Sequence, residues 1–380
     1  MKKKWLLTIF ALLTAIHITL LFTHKTFIYK ALVYTYPDIN DQDLFCSRVA
    51  KRSSTPQPWP ISKHYNEVAL PDTLEKTLLG FESTAFLIIK NDSILIEKYY
   101  NNSTDTSISG SFSVAKSFIG TLIGIAIDKG HIKNIDEPIA NYLPDFKKDG
   151  KEKITIRHCL MMSSGLNWDE AYASAFSVTT EAYYGTDLAG TVSRLKVVEE
   201  PGKYFSYKSG DTQILSLVIA KATGMSTTLF MQDELWTRIG AEHDATWSLD
   251  DNNGIEKAYC CIYSTARDFA RLGKLYLHDG VWGEEQVVSK DYIKTSTTAN
   301  LLIDKNTHVS NEAYGFQWWI YPNEFNKKVF YARGILGQYI IVVPAEQLVI
   351  VRLGHKRGEK IGNHPAEFLQ MVDFAIKGTW

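Results

Sequence analysis

The chain lacks any excess of positive charge. Its 41 lysines and arginines face 42 aspartates and glutamates, a formal net charge of −1. No basic field is available to attract nucleic acid, so no nucleic-acid partner is expected. Cysteine is scarce: Cys46, Cys159, Cys260 and Cys261 are the four in 380 residues. They form no Cys-x-x-Cys pair and no dense framework, which excludes a disulfide-built fold. A bridge between the neighbours Cys260 and Cys261 is sterically demanding, so they read as two small buried thiols. No Gly-x-Ser-x-Gly elbow, Walker loop, Gly-x-Gly-x-x-Gly or His-Glu-x-x-His is present. The ten histidines show no metal-ligand spacing, and neither a metal nor an organic cofactor is expected. There is no internal repeat.

What is present is ordinary globular composition, 45% hydrophobic and 22% charged, long enough for one large domain or two lobes. A small-molecule or peptide-like substrate fits this composition better than a polymer of one charge.

Residues 1–23 stand apart. Met1-Lys2-Lys3-Lys4 is followed by an uncharged run from Trp5 to Thr23, about long enough to cross a bilayer as a helix. The lysines favour the cytoplasmic side, which puts the rest of the chain on the extracytoplasmic (periplasmic) side of the cell membrane as a single-pass protein. The stretch Leu20 to Lys25 offers no small-residue cleavage pattern, so an uncleaved anchor is expected rather than a signal peptide. Residues 24–70 read as a stalk and lead-in, with Pro56, Pro58 and Pro60 blocking helix and central strand. Residues 71–380 read as the folded domain.

Within that domain, Ala85–Ile89 and Ile94–Ile96 flank the turn pair Asn91-Asp92, a hairpin signal. An apolar stretch from Val114 to Ile127 predicts a helix buried on nearly all sides. Thr155 is a plausible cap for a helix over 154–162. Further helices are expected over 211–222, 265–277 and 365–376. Strands are expected over 329–332, 338–343 and 348–353, the last two joined at Pro344-Ala345-Glu346. A front hairpin, strands at the back and helices between predict an α+β fold. One antiparallel sheet flanked by helices would join both ends of the chain, with a helical lobe inserted.

The chemistry sits in Phe112-Ser113-Val114-Ala115-Lys116. Positions i and i+3 share a helix face, so Lys116 is carried to Ser113. Burial in an apolar helix lowers a lysine's pKa and frees an amine base for the serine. The spacing alone is unspecific, since Ser193-Arg194-Leu195-Lys196 repeats it in a charged segment where the lysine is solvated. Tyr207, in Ser206-Tyr207-Lys208-Ser209, precedes a helix, where a tyrosine can shuttle a proton; taken alone, one tyrosine among twenty is more often a packing residue and Ser209 a helix cap. Ala332-Arg333-Gly334-Ile335 ends one strand before the next, which alone reads as a plain turn and beside the other elements as a place where a backbone N–H can hold an oxyanion.

In this order, Phe112–Ser117, Ile154–His158 with Ser163–Leu166, Pro201–Tyr207 and Ser264–Arg271 resemble the class C β-lactamase-like, penicillin-binding-type serine hydrolases. That group includes D-Ala-D-Ala carboxypeptidases, D-aminopeptidases, esterases and nylon-oligomer hydrolases. The resemblance covers residues 75–355. It implies a β-lactamase/transpeptidase-like fold, Ser113 as acylated nucleophile, Lys116 as its base and Tyr207 as proton relay. It also implies an oxyanion hole from the backbone N–H groups of Ser113 and Ile335, with Ser209, Arg333 and Gly334 binding substrate. Two positions depart from the family. Ser209 stands where many relatives carry asparagine. Ala332-Arg333-Gly334 replaces a Lys-Thr-Gly or His-x-Gly triplet, removing the usual cation for a β-lactam carboxylate. The expectation is therefore an esterase or amide hydrolase rather than a true β-lactamase. The competing reading is a catalytically slow receptor for cell-wall peptides or lactams. Trp168, Tyr172, Tyr183 and Tyr184 are candidates for lining the substrate pocket.

Overall fold

The computed structural model describes residues 2–322 and 327–378; Met1 of the expected anchor and residues 323–326 and 379–380 of the expected domain lie outside them. Helix α1 (Lys2–Phe22) leaves its apolar side chains exposed, Trp5, Phe10 and Phe22 among them. Among the described residues it is the one unbroken helix long and apolar enough to cross a bilayer.

Residues 24–70, expected as stalk and lead-in, are folded onto the body. Helix α2 (Phe27–Tyr34) buries Phe27, Ile28 and Ala31. Strand β1 (Ser47–Ala50) follows. The proline-rich stretch forms neither helix nor strand, yet Trp59 within it is buried and donates its indole N–H to the Arg267 carbonyl at 2.9 Å.

Helix α3 (Asp72–Gly80) leads into the hairpin β2 (Ser83–Lys90) and β3 (Ser93–Tyr99). Asn91 and Asp92 make its two-residue turn with φ of 48° and 61°, the left-handed pair such turns require. The short strand β4 (Ser109–Gly110) precedes helix α4 (Ala115–Asp128), buried from Ala115 to Ala126. Helix α5 (Ile156–Leu160) starts at a reciprocal capping box between Thr155 and His158. Helix α6 (Val178–Tyr184) is capped by Ser177, and α7 (Ser209–Thr223) is stopped by Gly224 at φ 70°. Strands β5 (Ala245–Ser248) and β6 (Ile262–Ser264) precede α8 (Ala266–Leu277), capped by Thr265. The chain closes with β7 (Trp319–Ile320), β8 (Phe330–Gly334), β9 (Gln338–Val343), β10 (Leu348–Gly354) and α9 (Ala366–Lys377).

The main sheet is antiparallel in the order β7-β8-β9-β10-β2-β3. Ile350 of β10 faces Ile88 of β2, so the two ends of the chain meet in its centre. Helices cover both faces, which is why the central strands are buried residue after residue. Leu87 and Ile89 pack with Phe269 and Leu272 of α8, while Phe86 and Ile88 pack with Phe368 and Met371 of α9. This is the expected α+β arrangement with a helical lobe between the sheet halves. A second sheet, β1-β5-β6-β4, was not foreseen. Its pairing of Ser47 with Ser248 spans most of the lobe, a distance that local periodicity does not report.

Candidate active site

The site begins where β4 turns into α4. Ser111 clamps the turn to β6: its N–H donates to the Ile262 carbonyl at 2.8 Å, and its Oγ accepts from the Ile262 N–H at 3.2 Å. Phe112 then adopts φ 44°, a left-handed conformation that swings the chain into the helix. Ser113 lies in a single tight turn, Phe112–Val114, continuous with α4.

One helical turn on, Lys116 is 1% exposed. Its Nζ lies 3.0 Å from Ser113 Oγ and donates to the Tyr259 carbonyl at 2.7 Å. Burial draws its pKa down to about 7, with the nearby Glu170 charge pulling the other way. An amine with one N–H committed to Tyr259 turns its remaining positions, including the lone pair when neutral, towards Ser113. The Tyr207 ring centre is 5.3 Å from Lys116 Nζ. Burial drives the Tyr207 hydroxyl well above its ordinary pKa, the Glu170 charge adds to the rise, and a hydrogen bond with Ser113 opposes it. The phenol therefore keeps its proton at neutral pH.

The opposite wall is the turn Ile335–Gly337, between β8 and β9. Leu336 at φ 62° and Gly337 at φ 86° make it tight. The buried Arg352 of β10 holds it: one guanidinium nitrogen donates to the Leu336, Gly337 and Lys356 carbonyls at 2.9, 2.8 and 2.9 Å. Its other nitrogens reach Ser83 Oγ at 2.9 Å and the Phe81 carbonyl at 2.6 Å. Gln338 Nε2 adds bonds to the Ile335 and Gly354 carbonyls at 3.1 and 2.7 Å. Gly334 packs directly on the Ser111 carbonyl and the Phe112 Cβ. The beginning of α4 and the Ile335 turn are thus brought together.

Two chambers meet at this point and share Ser113, Tyr172 and Ile335. One, of about 300 Å³, is the more polar and is lined by Tyr207, Glu170, Arg333, Gly334 and Lys360 among others. The other, of about 240 Å³, is predominantly apolar. Arg333 is buried, with its guanidinium carbon 3.5 Å from the Trp319 ring centre, and donates to the Asn363 carbonyl at 2.7 Å. Ser209 lines the apolar chamber, and its N–H and Oγ both donate to the carboxylate of Glu170, which lines the other, the latter at 3.2 Å. The Tyr172 hydroxyl donates to the same carboxylate. Glu170 was missed by sequence reasoning: one acid among 42, in a loop, with no spacing to mark it.

Tyr172, Tyr183 and Tyr184 line the apolar chamber. Trp168 does not line either chamber; it is buried against Gly210 and Tyr259. The second Ser-x-x-Lys spacing stays unpaired: the Ser193 hydroxyl donates to the Gly190 carbonyl and Lys196 is exposed. The reading of Cys260 and Cys261 as free thiols is corrected. They are buried but disulfide-bonded, with Cα atoms 3.7 Å apart. Cys261 adopts φ 72°, so the backbone is not extended there and the two side chains do not diverge as strand neighbours do.

A family model described as beta-lactamase matches residues 72–369. The chain belongs to this beta-lactamase family, a fold group of serine hydrolases. A 6-aminohexanoate-dimer hydrolase of Paenarthrobacter ureafaciens is 28% identical over 299 residues, covering 75% of each chain. A solved structure from Bacillus anthracis, provisionally named for the same activity, superposes with a TM-score of 0.71. It is 21% identical and covers 91% of this chain and 92% of its own. A D-stereospecific amidohydrolase from Streptomyces sp. has a TM-score of 0.62 at 14% identity, covering 81% of this chain and 97% of its own.

Proposed function

We propose that this chain hydrolyses an ester or amide through an acyl-enzyme on Ser113, with Lys116 as the base. The observation that carries this reading is the 3.0 Å approach of Lys116 Nζ to Ser113 Oγ in a buried site where the amine titrates near 7. Neutral Lys116 takes the Ser113 proton as Oγ attacks the carbonyl carbon. The backbone N–H groups of Ser113 and Ile335 stabilise the oxyanion. Tyr207 gives its proton to the leaving oxygen or nitrogen and regains one from Lys116. Water then attacks the acyl-enzyme by the reverse route.

The polar chamber is the leaving-group side, because Tyr207 lines it and the apolar chamber lacks it. Arg333 and Lys360 favour an anionic leaving group there, and Gly334 completes the subsite; Ser209 binds substrate from the apolar chamber, which it lines. Helix α1 anchors the enzyme, with the hydrolase domain outside the cytoplasm; the lysine cluster at its start and its exposed apolar surface support this.

The test is a substrate panel of esters, D-amino-acid amides, linear amide oligomers and lactams, run on the purified full chain. Turnover of esters or amides that Ser113→Ala abolishes is expected. Stable acylation without turnover across the panel would contradict a hydrolase and favour a receptor.

A further inference from the structure

One side of the apolar chamber is formed by a segment that precedes the matched family region of 72–369. Ala31, Leu32 and Thr35, on and just after α2, line it together with Tyr172, Tyr183 and Cys260 of the domain, Leu32 at its edge. The same helix leads back to the anchor. Four residues separate Phe22 from Phe27. Leu20, near the end of α1, packs against the core, and the His17 ring lies 2.9 Å from the Tyr29 hydroxyl. The chamber wall is therefore tied to the end of the candidate span.

The outside of that wall is apolar. Leu32 is 65% exposed, Val33 73%, and Phe176, next to the wall residue Ala175, 75%. Tyr29, Tyr34 and Tyr36 are also exposed on this segment. Apolar patches rimmed by tyrosines at the end of a span sit at the lipid–water interface. Tyr207 fixes the orientation of the substrate: its proton goes to the leaving group in the polar chamber, so the acyl group points into the apolar one.

We propose that the acyl group transferred to Ser113 is the hydrocarbon chain of an amphiphile resident in the same bilayer, entering through the mouth formed by α2. This rests on the serine-hydrolase reading above. Ser113 Oγ bonds to the acyl carbon and the bond to the head-group oxygen or nitrogen breaks. The serine proton ends on that atom by way of Lys116 and Tyr207. Water then bonds to the acyl carbon and releases a carboxylic acid.

The test uses the full chain in dioleoylphosphatidylcholine vesicles and alkyl fluorophosphonates with ethyl, octyl and hexadecyl chains. Phosphonylation of Ser113 is followed by peptide mass spectrometry. From ethyl to octyl, the rate constant is expected to rise roughly twofold to fourfold per methylene, as apolar surface leaves water. The hexadecyl probe is expected to react when it shares the enzyme's vesicles and to fail when held in separate ones. Equal rates for ethyl and octyl overturn the acyl-chain proposal while leaving the hydrolase reading standing. Equal reaction in shared and separate vesicles overturns the membrane source. No labelling by any probe in folded protein overturns the hydrolase reading and this proposal with it. Ala31→Trp, which fills the chamber, and Leu32→Asp, at an exposed position the fold tolerates, are each expected to lower the octyl-to-ethyl ratio at least about fivefold. An unchanged ratio in both removes α2 from the site.

Discussion

Gly334 lies so close to Ser111 that a Cβ on it would stand 2.4 Å from the Ser111 carbonyl oxygen. No real side chain makes such a contact with backbone. This packing sets the spacing between the Ile335 turn and the start of α4, and so between the two N–H groups assigned to the oxyanion. Gly334→Ala should push β8 away from Ser111 and lower kcat/KM by about a hundredfold, the scale of a displacement near 1 Å in an acyl-transfer site. Steady-state kinetics beside a thermal melt check this. A variant that melts like the parent and keeps full activity contradicts the assigned hole.

The base assignment has a pH signature. Lys116 titrates near 7 because burial disfavours its charged form. Below that pH it holds its proton and cannot accept one from Ser113; above it the amine is free. Acylation rates are expected to climb about tenfold per pH unit on the acid side and to level off above about 7. Tyr207 contributes no descending limb near neutrality, since its pKa is raised. Lys116→Arg stays protonated throughout and should lose roughly a thousandfold in acylation. A rate–pH profile that is flat from pH 5 to 9, or an active Lys116→Arg enzyme, contradicts the role.

Glu170 should tune that profile. Its negative charge raises the Lys116 pKa against the effect of burial. Glu170→Gln removes the charge, so the midpoint should move to lower pH. The plateau rate should fall as well, because the N–H and hydroxyl of Ser209 and the Tyr172 hydroxyl lose an ionic acceptor. A pH series on the variant reads both effects; a midpoint moving upward contradicts the electrostatic assignment.

Arg352 acts at one remove. It satisfies five acceptors, including the Leu336 and Gly337 carbonyls of the turn that carries Ile335. Arg352→Met strands those that water cannot reach and should cost at least about 3 kcal/mol of stability. Denaturant unfolding measures that loss. Where the variant remains folded, kcat should fall more than KM rises, because the oxyanion exists in the transition state and not in bound substrate. A selective rise in KM contradicts a positioning role.

Much of this architecture is legible in the residues themselves. Asn91-Asp92 announces a tight hairpin because both residues tolerate left-handed backbone. Thr155 and Thr265 mark helix starts, and Gly224 a helix end, through local capping chemistry. Ser113 and Lys116 are legible as a pair because helical spacing fixes i and i+3 on one face. What escapes is set by distant contacts. Strand β1 finds its partner at Ala245–Ser248, and α2 becomes a chamber wall only once α6 packs on it. Glu170 reaches the site from a loop. The inward course of Arg333 is decided by Trp319 and Asn363, which strand alternation alone does not specify. The bond between Cys260 and Cys261 depends on the left-handed backbone at Cys261, a conformation that no local signal in the sequence announces.

In the proposed reaction, turnover passes through an ester on Ser113. Acid-quenching the full chain during hydrolysis of an activated ester, then mapping its peptides by mass, tests this most directly. An acyl adduct is expected on the peptide carrying Ser113, present in the parent and missing in Ser113→Ala. Turnover with the adduct on another residue, or turnover that survives Ser113→Ala, would contradict it.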